Sequence, residues 1–328
     1  MQSICGTCIS IMVLLLSLFS GLRSPTSDQD YLNYLIWLNP ESSMEEGYTL
    51  SSKDPLFQFM GILLRSDEGN LILLMVAISI ISLSIKIRVF RSPYYYGLLG
   101  LGLLFVISRF FLVHEFTQVR AALAISIATL GLIYSLERKW MLALFIFSLG
   151  VFVHLSTIVL APLLLYAYPA RGYRKSLIGG LIAVLLAVFV LSGQYPAEGV
   201  DRIFPYFSGQ YDTRENSLLS SYFLVKVATV VFLLLQWRHL NHGIRLAVIC
   251  SSYGIILTVI FLNNDVLSLR FSELTAIFDG ICLAYIFIYY SGRYRLIAMG
   301  CATFLSAIFY YSASNIVNDY YMIFWYPA

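Results

Sequence analysis

Charge is scarce in this 328-residue chain: Asp, Glu, Lys and Arg make up 12% of it, against 59% hydrophobic residues. A water-soluble domain needs a polar shell, so this balance excludes one and points to a polytopic integral membrane protein. Histidine and cysteine are also few, at four and five. Cys5 and Cys8 have CxxC spacing without a third or fourth ligand nearby, and Cys250, Cys282 and Cys301 stand alone in apolar runs. The cysteines therefore read as packing residues, and neither a metal nor another cofactor is expected. No phosphate-binding glycine loop, EF-hand, HExxH or GxSxG sequence occurs, and no basic aromatic surface suggests nucleic acid. Function has to be sought in the few polar groups at or inside an apolar bundle.

Apolar runs at 4–22, 70–86, 93–112, 118–135, 140–153, 155–168, 176–192, 218–236, 246–262, 273–290 and 296–312 give an all-α bundle of about 11 transmembrane helices. The runs 140–153 and 155–168 are too short for ordinary spans and read as a broken or shallow pair. Short linkers around Lys86/Arg88/Arg91, Arg138/Lys139, Arg171/Arg174/Lys175, Arg238/Arg245 and Arg293/Arg295 hold twelve of the 21 basic residues and one acid, Glu137. They alternate with acidic loops, which puts the linkers and the N-terminus in the cytoplasm and the C-terminus outside. The first run resembles an export signal in composition. No Lys or Arg precedes it and its cleavage site is poor, so it reads as a retained helix.

The whole of 1–328 then forms a single transmembrane domain with two external loops. Loop 23–69 carries Asp28, Asp30, Glu41, Glu45, Glu46, Asp54, Asp67 and Glu68; within it 55–64 is apolar but too short to cross, and reads as an interfacial helix. Loop 193–217 mixes Gly and Pro with Tyr195, Tyr206, Phe207 and Tyr211. Such a loop suits a lid over a polar substrate, or an aromatic belt between two spans.

Three polar groups near external helix ends carry the chemistry. Arg120 opens the fourth run, where a permanently charged guanidinium and unpaired N–H groups of a first helical turn suit a phosphate. Its bland alternative is snorkelling or pairing with Glu115; Gln118 and His114 are lesser candidates beside it. His154 lies at the junction of the two short runs, where an imidazole can take a proton from a sugar hydroxyl with Ser156 orienting it, or can simply be packed. Arg270 precedes Glu273 by three residues on one helical face; the two support each other, or Arg270 joins Arg120 in clamping a diphosphate without metal. Arg109, Lys226 and Asp279 fall deep in apolar runs, where a charge has to find a partner or water.

Four landmarks in order resemble the EpsG-like group of the Wzy-type polymerases of O-antigen, capsule and exopolysaccharide repeat units. They are the DP-x-F element Asp54, Pro55, Phe57, the R-x-x-L-A stretch Arg120, Leu123, Ala124, the F-x-H-x-S stretch Phe152, His154, Ser156, and the late Arg270. The resemblance implies a GT-C-like polymerase/ligase bundle in the bacterial cytoplasmic membrane with an external active site. It implies an inverting, metal-independent glycosyl transfer between undecaprenyl-diphosphate-linked glycan donor and acceptor, among membrane lipids, with a chain-length regulator and a flippase as candidate partners. His154, Arg120 and Arg270 are then the expected catalytic residues, and Asp54, Gln118, Ser156, Glu273 and Tyr206 the expected substrate contacts. An O-antigen ligase uses similar donor chemistry, a polytopic sugar acyltransferase could use His154, and a lipid-linked glycan flippase or transporter is the non-enzyme alternative.

Overall fold

A computed structural model of the protein describes residues 2–23, 68–167, 220–262 and 265–314, together with residues 30, 31, 34, 56, 59 and 60. They form helices α1 (Gln2–Gly21), α2 (Glu68–Phe90) and α3 (Leu99–Phe110), the last running on as a π-helical segment, Phe111–Thr117. Then follow α4 (Val119–Leu136), α5 (Trp140–Val153), a 3-10 segment (Leu155–Leu160), α6 (Ala161–Ala167), α7 (Ser221–Leu235), α8 (His242–Ile260), α9 (Asp265–Glu273), α10 (Ala276–Tyr289) and α11 (Arg295–Ser314). Five of the described stretches are long and apolar enough to cross a membrane: Leu71–Phe90, Leu99–Thr117, Val119–Leu136, His242–Ile260 and Gly292–Ser314. The other apolar helices are shorter. The run 176–192 and the loop 193–217 lie outside the described residues, as does most of loop 23–69; of its expected interfacial helix, Leu56, Phe59 and Met60 are described, and they are helical.

Two expected boundaries move for local reasons. The run at 93–112 opens with a 3-10 turn, Pro93–Tyr95, and becomes an α-helix only from Leu99, because Pro93 stops α2 and Gly97, at φ +85°, turns the chain. The run at 273–290 breaks at Leu274 and Thr275, so Glu273 closes α9 and α10 starts at Ala276. Lys86, read as part of a cytoplasmic linker, is instead fully buried inside α2.

Helices α4 and α5 form a tight antiparallel hairpin. Its turn is a Schellman motif: the Arg138 N–H donates to the Ser135 carbonyl and the Lys139 N–H to the Tyr134 carbonyl, both at 3.0 Å. Arg138 takes the left-handed position, φ 61°, that glycine usually fills. Glycine instead serves the interface. A Cβ on Gly150 would lie 2.9 Å from the Ala124 oxygen, and one on Gly131 3.0 Å from the Phe147 nitrogen, so the two backbones touch directly. Small residues at such positions let membrane helices approach closely, where packing rather than water drives association.

Around this hairpin α2 packs on α4 and α1 on α2; a second group places α10 and α11 on α3, and α8 against α7, α9 and α10. Gly280 on α10 meets α3 closely, where a Cβ would be 2.6 Å from Val106 Cγ2 and 3.1 Å from the Gly102 oxygen. The π-helical segment touches α1, α4 and α11 as well as α3, and so stands where the two groups meet.

Candidate functional site

At one end of the hairpin α4 begins and α5 stops. His154 is the stop: it is extended at φ −155°, ψ 111°, and its carbonyl accepts from the Thr157 N–H at 3.1 Å and the Thr157 hydroxyl at 2.8 Å. The apolar run is thus broken at His154, as the two short runs implied, and the imidazole is half-buried beside a non-helical backbone. Ser156 is half-buried in the 3-10 segment that follows.

Arg120 sits in the first turn of α4, at the same end. Val119 and Val153, the residues just before Arg120 and His154, belong to one apolar cluster with Tyr31, Tyr34, Leu71 and Leu123. Tyr34 receives a hydrogen bond from the Arg120 backbone N–H, and burial, followed by the charge of Asp30, pushes its hydroxyl well above the usual tyrosine range, so it stays protonated. The Arg23 guanidinium covers the rings of Tyr31 at 5.5 Å and Phe116 at 5.4 Å. Two arginines and two buried tyrosines therefore gather where α1, the first turn of α4 and the break after α5 converge.

Between Arg109 and Arg120 the chain winds as a π-helix, a rare form that recurs at functional sites. It ends at Gln118, half-buried at φ −95°, ψ 52°, whose N–H reaches back five residues to the Val113 carbonyl at 3.0 Å. Glu115 faces the first helix group: it pairs with Lys86 of α2, accepts from the Ser82 hydroxyl at 2.8 Å, and its carbonyl accepts from Ser20 of α1. His114 faces the other way, its Nε2 3.9 Å from Glu273 Oε2 at the end of α9.

Glu273 belongs to a second buried centre. Lys226 on α7 pairs with Asp279 Oδ2 on α10 at 2.9 Å, and donates to Thr275 Oγ1 at 3.1 Å and the Ser272 carbonyl at 3.2 Å. Tyr222, one turn earlier on α7, donates to the same carboxylate and lies under the Arg109 guanidinium at 4.9 Å. Room for Lys226 comes from Gly254 on α8, where a Cβ would meet Thr275 and stand 2.8 Å from Lys226 Nζ. The charges of Arg109, Arg270 and Lys226 all act on Glu273, and Arg270 itself is exposed one turn away.

The structure thus sorts the expected residues into two places. Arg120, His154 and Gln118 fall at the hairpin end with Ser156 close behind His154 in sequence; Arg270 and Glu273 fall at the second centre. Asp54 and Tyr206 lie outside the described residues. Lys226 and Asp279 find each other, as the cost of lone charges in apolar runs requires, while Arg109 lies over the Tyr222 ring. His114, Lys86 and Tyr222 gain their importance only from partners distant in sequence. Among the described residues no three His, Cys, Asp or Glu side chains converge as metal ligands would.

The sequence model described as the EpsG family matches residues 6–327. Neither a curated protein nor a solved structure matches.

Proposed function

The chain belongs to the EpsG family, a Wzy-like polymerase family, and from that premise we propose that it polymerises undecaprenyl-diphosphate-linked oligosaccharide repeat units at the external face of the bacterial cytoplasmic membrane. What supports carrying this reading to particular residues is the hairpin: α4 and α5 bring Arg120, a side chain suited to phosphate, and His154, one suited to taking a proton, to the same end of the hairpin.

In the proposed reaction the acceptor hydroxyl attacks the donor's anomeric carbon on the face opposite the diphosphate. The new glycosidic C–O bond forms as the C–O bond to phosphate breaks, and undecaprenyl diphosphate leaves with the electron pair. Configuration inverts. His154 takes the hydroxyl proton, a role worth roughly 10²- to 10⁴-fold in rate. Arg120 stabilises charge on the departing diphosphate, assisted by the positive end of α4. Arg270, exposed on α9, serves the same anion from the other helix group, with Asp54, Gln118, Ser156 and Tyr206 as sugar or acceptor contacts.

The wider assignment follows the same reading: one domain over 1–328 with about 11 spans, a cytoplasmic N-terminus, an external C-terminus, and a flippase and chain-length regulator as partners. The test is the length distribution of lipid-linked glycan in cells lacking the native gene, complemented with wild type or His154→Ala at matched membrane levels. A ladder with wild type and single repeat units with the variant supports polymerisation through His154. No ladder with wild type, while single units leave the inner leaflet, replaces polymerisation by flipping.

A further inference from the structure

Seven buried polar atoms without a hydrogen-bond partner among the described residues belong to four side chains of the second centre: Nε and Nη1 of Arg109, both ring nitrogens of His114, both carboxylate oxygens of Glu273, and Oδ1 of Asp279. These residues are all more than nine-tenths buried. A buried polar group left unpaired is destabilising in a protein interior, and more so where the surroundings are hydrocarbon. The hairpin end has its own chemistry, and the polymerisation mechanism uses none of Arg109, His114 or Asp279.

The signs of the charges say what such a centre suits. Lys226 is matched by Asp279 at 2.9 Å, Glu273 lies 3.9 Å from His114, and Arg109 covers the Tyr222 ring at 4.9 Å. With exposed Arg270 assigned to the diphosphate, the buried cations Arg109 and Lys226 stand with the buried carboxyls of Glu273 and Asp279, which leaves little surplus positive charge inside the centre for a second anion. What the centre does offer is mixed hydrogen bonding: Arg109 donates, Glu273 and Asp279 Oδ1 accept, and a neutral imidazole does both. A sugar hydroxyl donates and accepts in the same way. Aromatic faces stand beside these groups, with Phe110 stacked on His114 at 5.3 Å and edge-on to Tyr222 at 5.4 Å. Apolar ring surface with a few convergent polar groups is the usual make of a small-ligand site. Arg270, one turn from Glu273 on α9, is exposed.

We propose that Arg109, His114 and Glu273 form a binding site for the hydroxyl groups of a neutral sugar, distinct from the diphosphate-binding arginine at the hairpin end. Resting on the polymerase reading, the sugar is one of the incoming acceptor repeat unit. Glu273 and His114 orient its hydroxyls, Arg109 donates to its oxygens, and Lys226, locked to Asp279 and Thr275, holds α7 and α10 in place around it.

The probe is the lipid-free oligosaccharide released by mild acid from the producing cells' own lipid-linked repeat units, with inorganic pyrophosphate as the competing anion. Thermal unfolding of the detergent-purified full chain is followed against the concentration of each. The oligosaccharide is expected to raise the wild-type midpoint, and its half-saturating concentration to rise at least about tenfold in Glu273→Gln and in Arg109→Lys, the loss of one charge-assisted hydrogen bond. Glu273→Gln is isosteric and keeps the test valid if Arg109→Lys does not fold; Lys139→Ala, in the α4–α5 turn, should respond as wild type. The inference is overturned if wild type does not respond to the oligosaccharide, if both variants respond as wild type does, or if pyrophosphate gives the response that the variants lose. Glycan ladders from the same variants separate the two readings: intact oligosaccharide binding in a protein that builds no ladder removes polymerisation alone, and a normal ladder from Glu273→Gln with unaltered binding removes the sugar site alone.

Discussion

His114 and Glu115 are neighbours in the π-helical segment, yet they serve opposite halves of the molecule: Glu115 binds Lys86, Ser82 and Ser20 on α1 and α2, while His114 meets Glu273 on α9. One peptide unit thus joins the two helix groups. The wider π turn lets consecutive polar side chains find partners on both sides within the bundle. A change at either group is therefore felt across the segment that leads directly into Arg120.

Lys86→Met should be among the most damaging single substitutions. It leaves Glu115 buried without its counter-charge, a loss of about 3–5 kcal/mol. The double variant Lys86→Met with Glu115→Leu should recover most of that, since it removes both charges. Thermal unfolding in detergent reads this; a double variant as unstable as the single would show that the pair is not the stabilising unit.

Charge in the α4–α5 turn should behave in the opposite way. Lys139 is exposed, and its hydrogen bond to Glu137 at 2.7 Å, together with the Glu137 charge, raises its ammonium above the usual lysine range. The sign follows: any stabilisation from this pair is present below the ordinary lysine pKa and is lost as pH climbs past the raised one. Solvent screens the pair throughout. Lys139→Ala should therefore leave the unfolding midpoint unchanged at neutral pH, and a clear drop would contradict this account.

The same turn offers a gain. Arg138 holds a left-handed conformation at φ 61°, and Arg138→Gly should be neutral or stabilising by up to about 1 kcal/mol. A destabilised variant would mean that the Arg138 side chain does more than fill the turn.

Gly150→Val should separate α4 from α5, because even a Cβ would stand 2.9 Å from the Ala124 oxygen. With Arg120 and His154 carried on those two helices, the expected result is shortened glycan ladders at matched protein levels, although neither residue is touched. Ladders of normal length would argue that the hairpin spacing does not govern the site.

Arg120→Lys keeps the charge but loses the planar two-point fork. If the residue holds the donor diphosphate, polymerisation should fall by roughly 10²- to 10³-fold, in the range for removing one preorganised donor at developing charge. Rates measured with purified lipid-linked repeat units decide it, and a near-normal rate would reduce Arg120 to a point charge or a packing role.

Much of this molecule is decided by local chemistry, and that part could be read directly. Apolar runs show where helices form because a bilayer core rewards little else, and Pro93 ends α2 by sterics alone. The shortness of 140–153 and 155–168 already implied the break at His154, since two such runs cannot each span. The ordered landmarks at Arg120, His154 and Arg270 pointed to the family. Tertiary structure alone decided partnership. Nothing local tells Lys86, near the end of a helix with Arg88 and Arg91 close behind, that it will be buried on Glu115 rather than exposed in a linker. Lys226 reads as a misplaced charge until Asp279, 53 positions later, comes within 2.9 Å. His114 gains a role only when α9 folds back beside the π turn. Such pairings depend on which helix faces approach, and those are chosen by packing of glycine and small residues summed over the whole bundle.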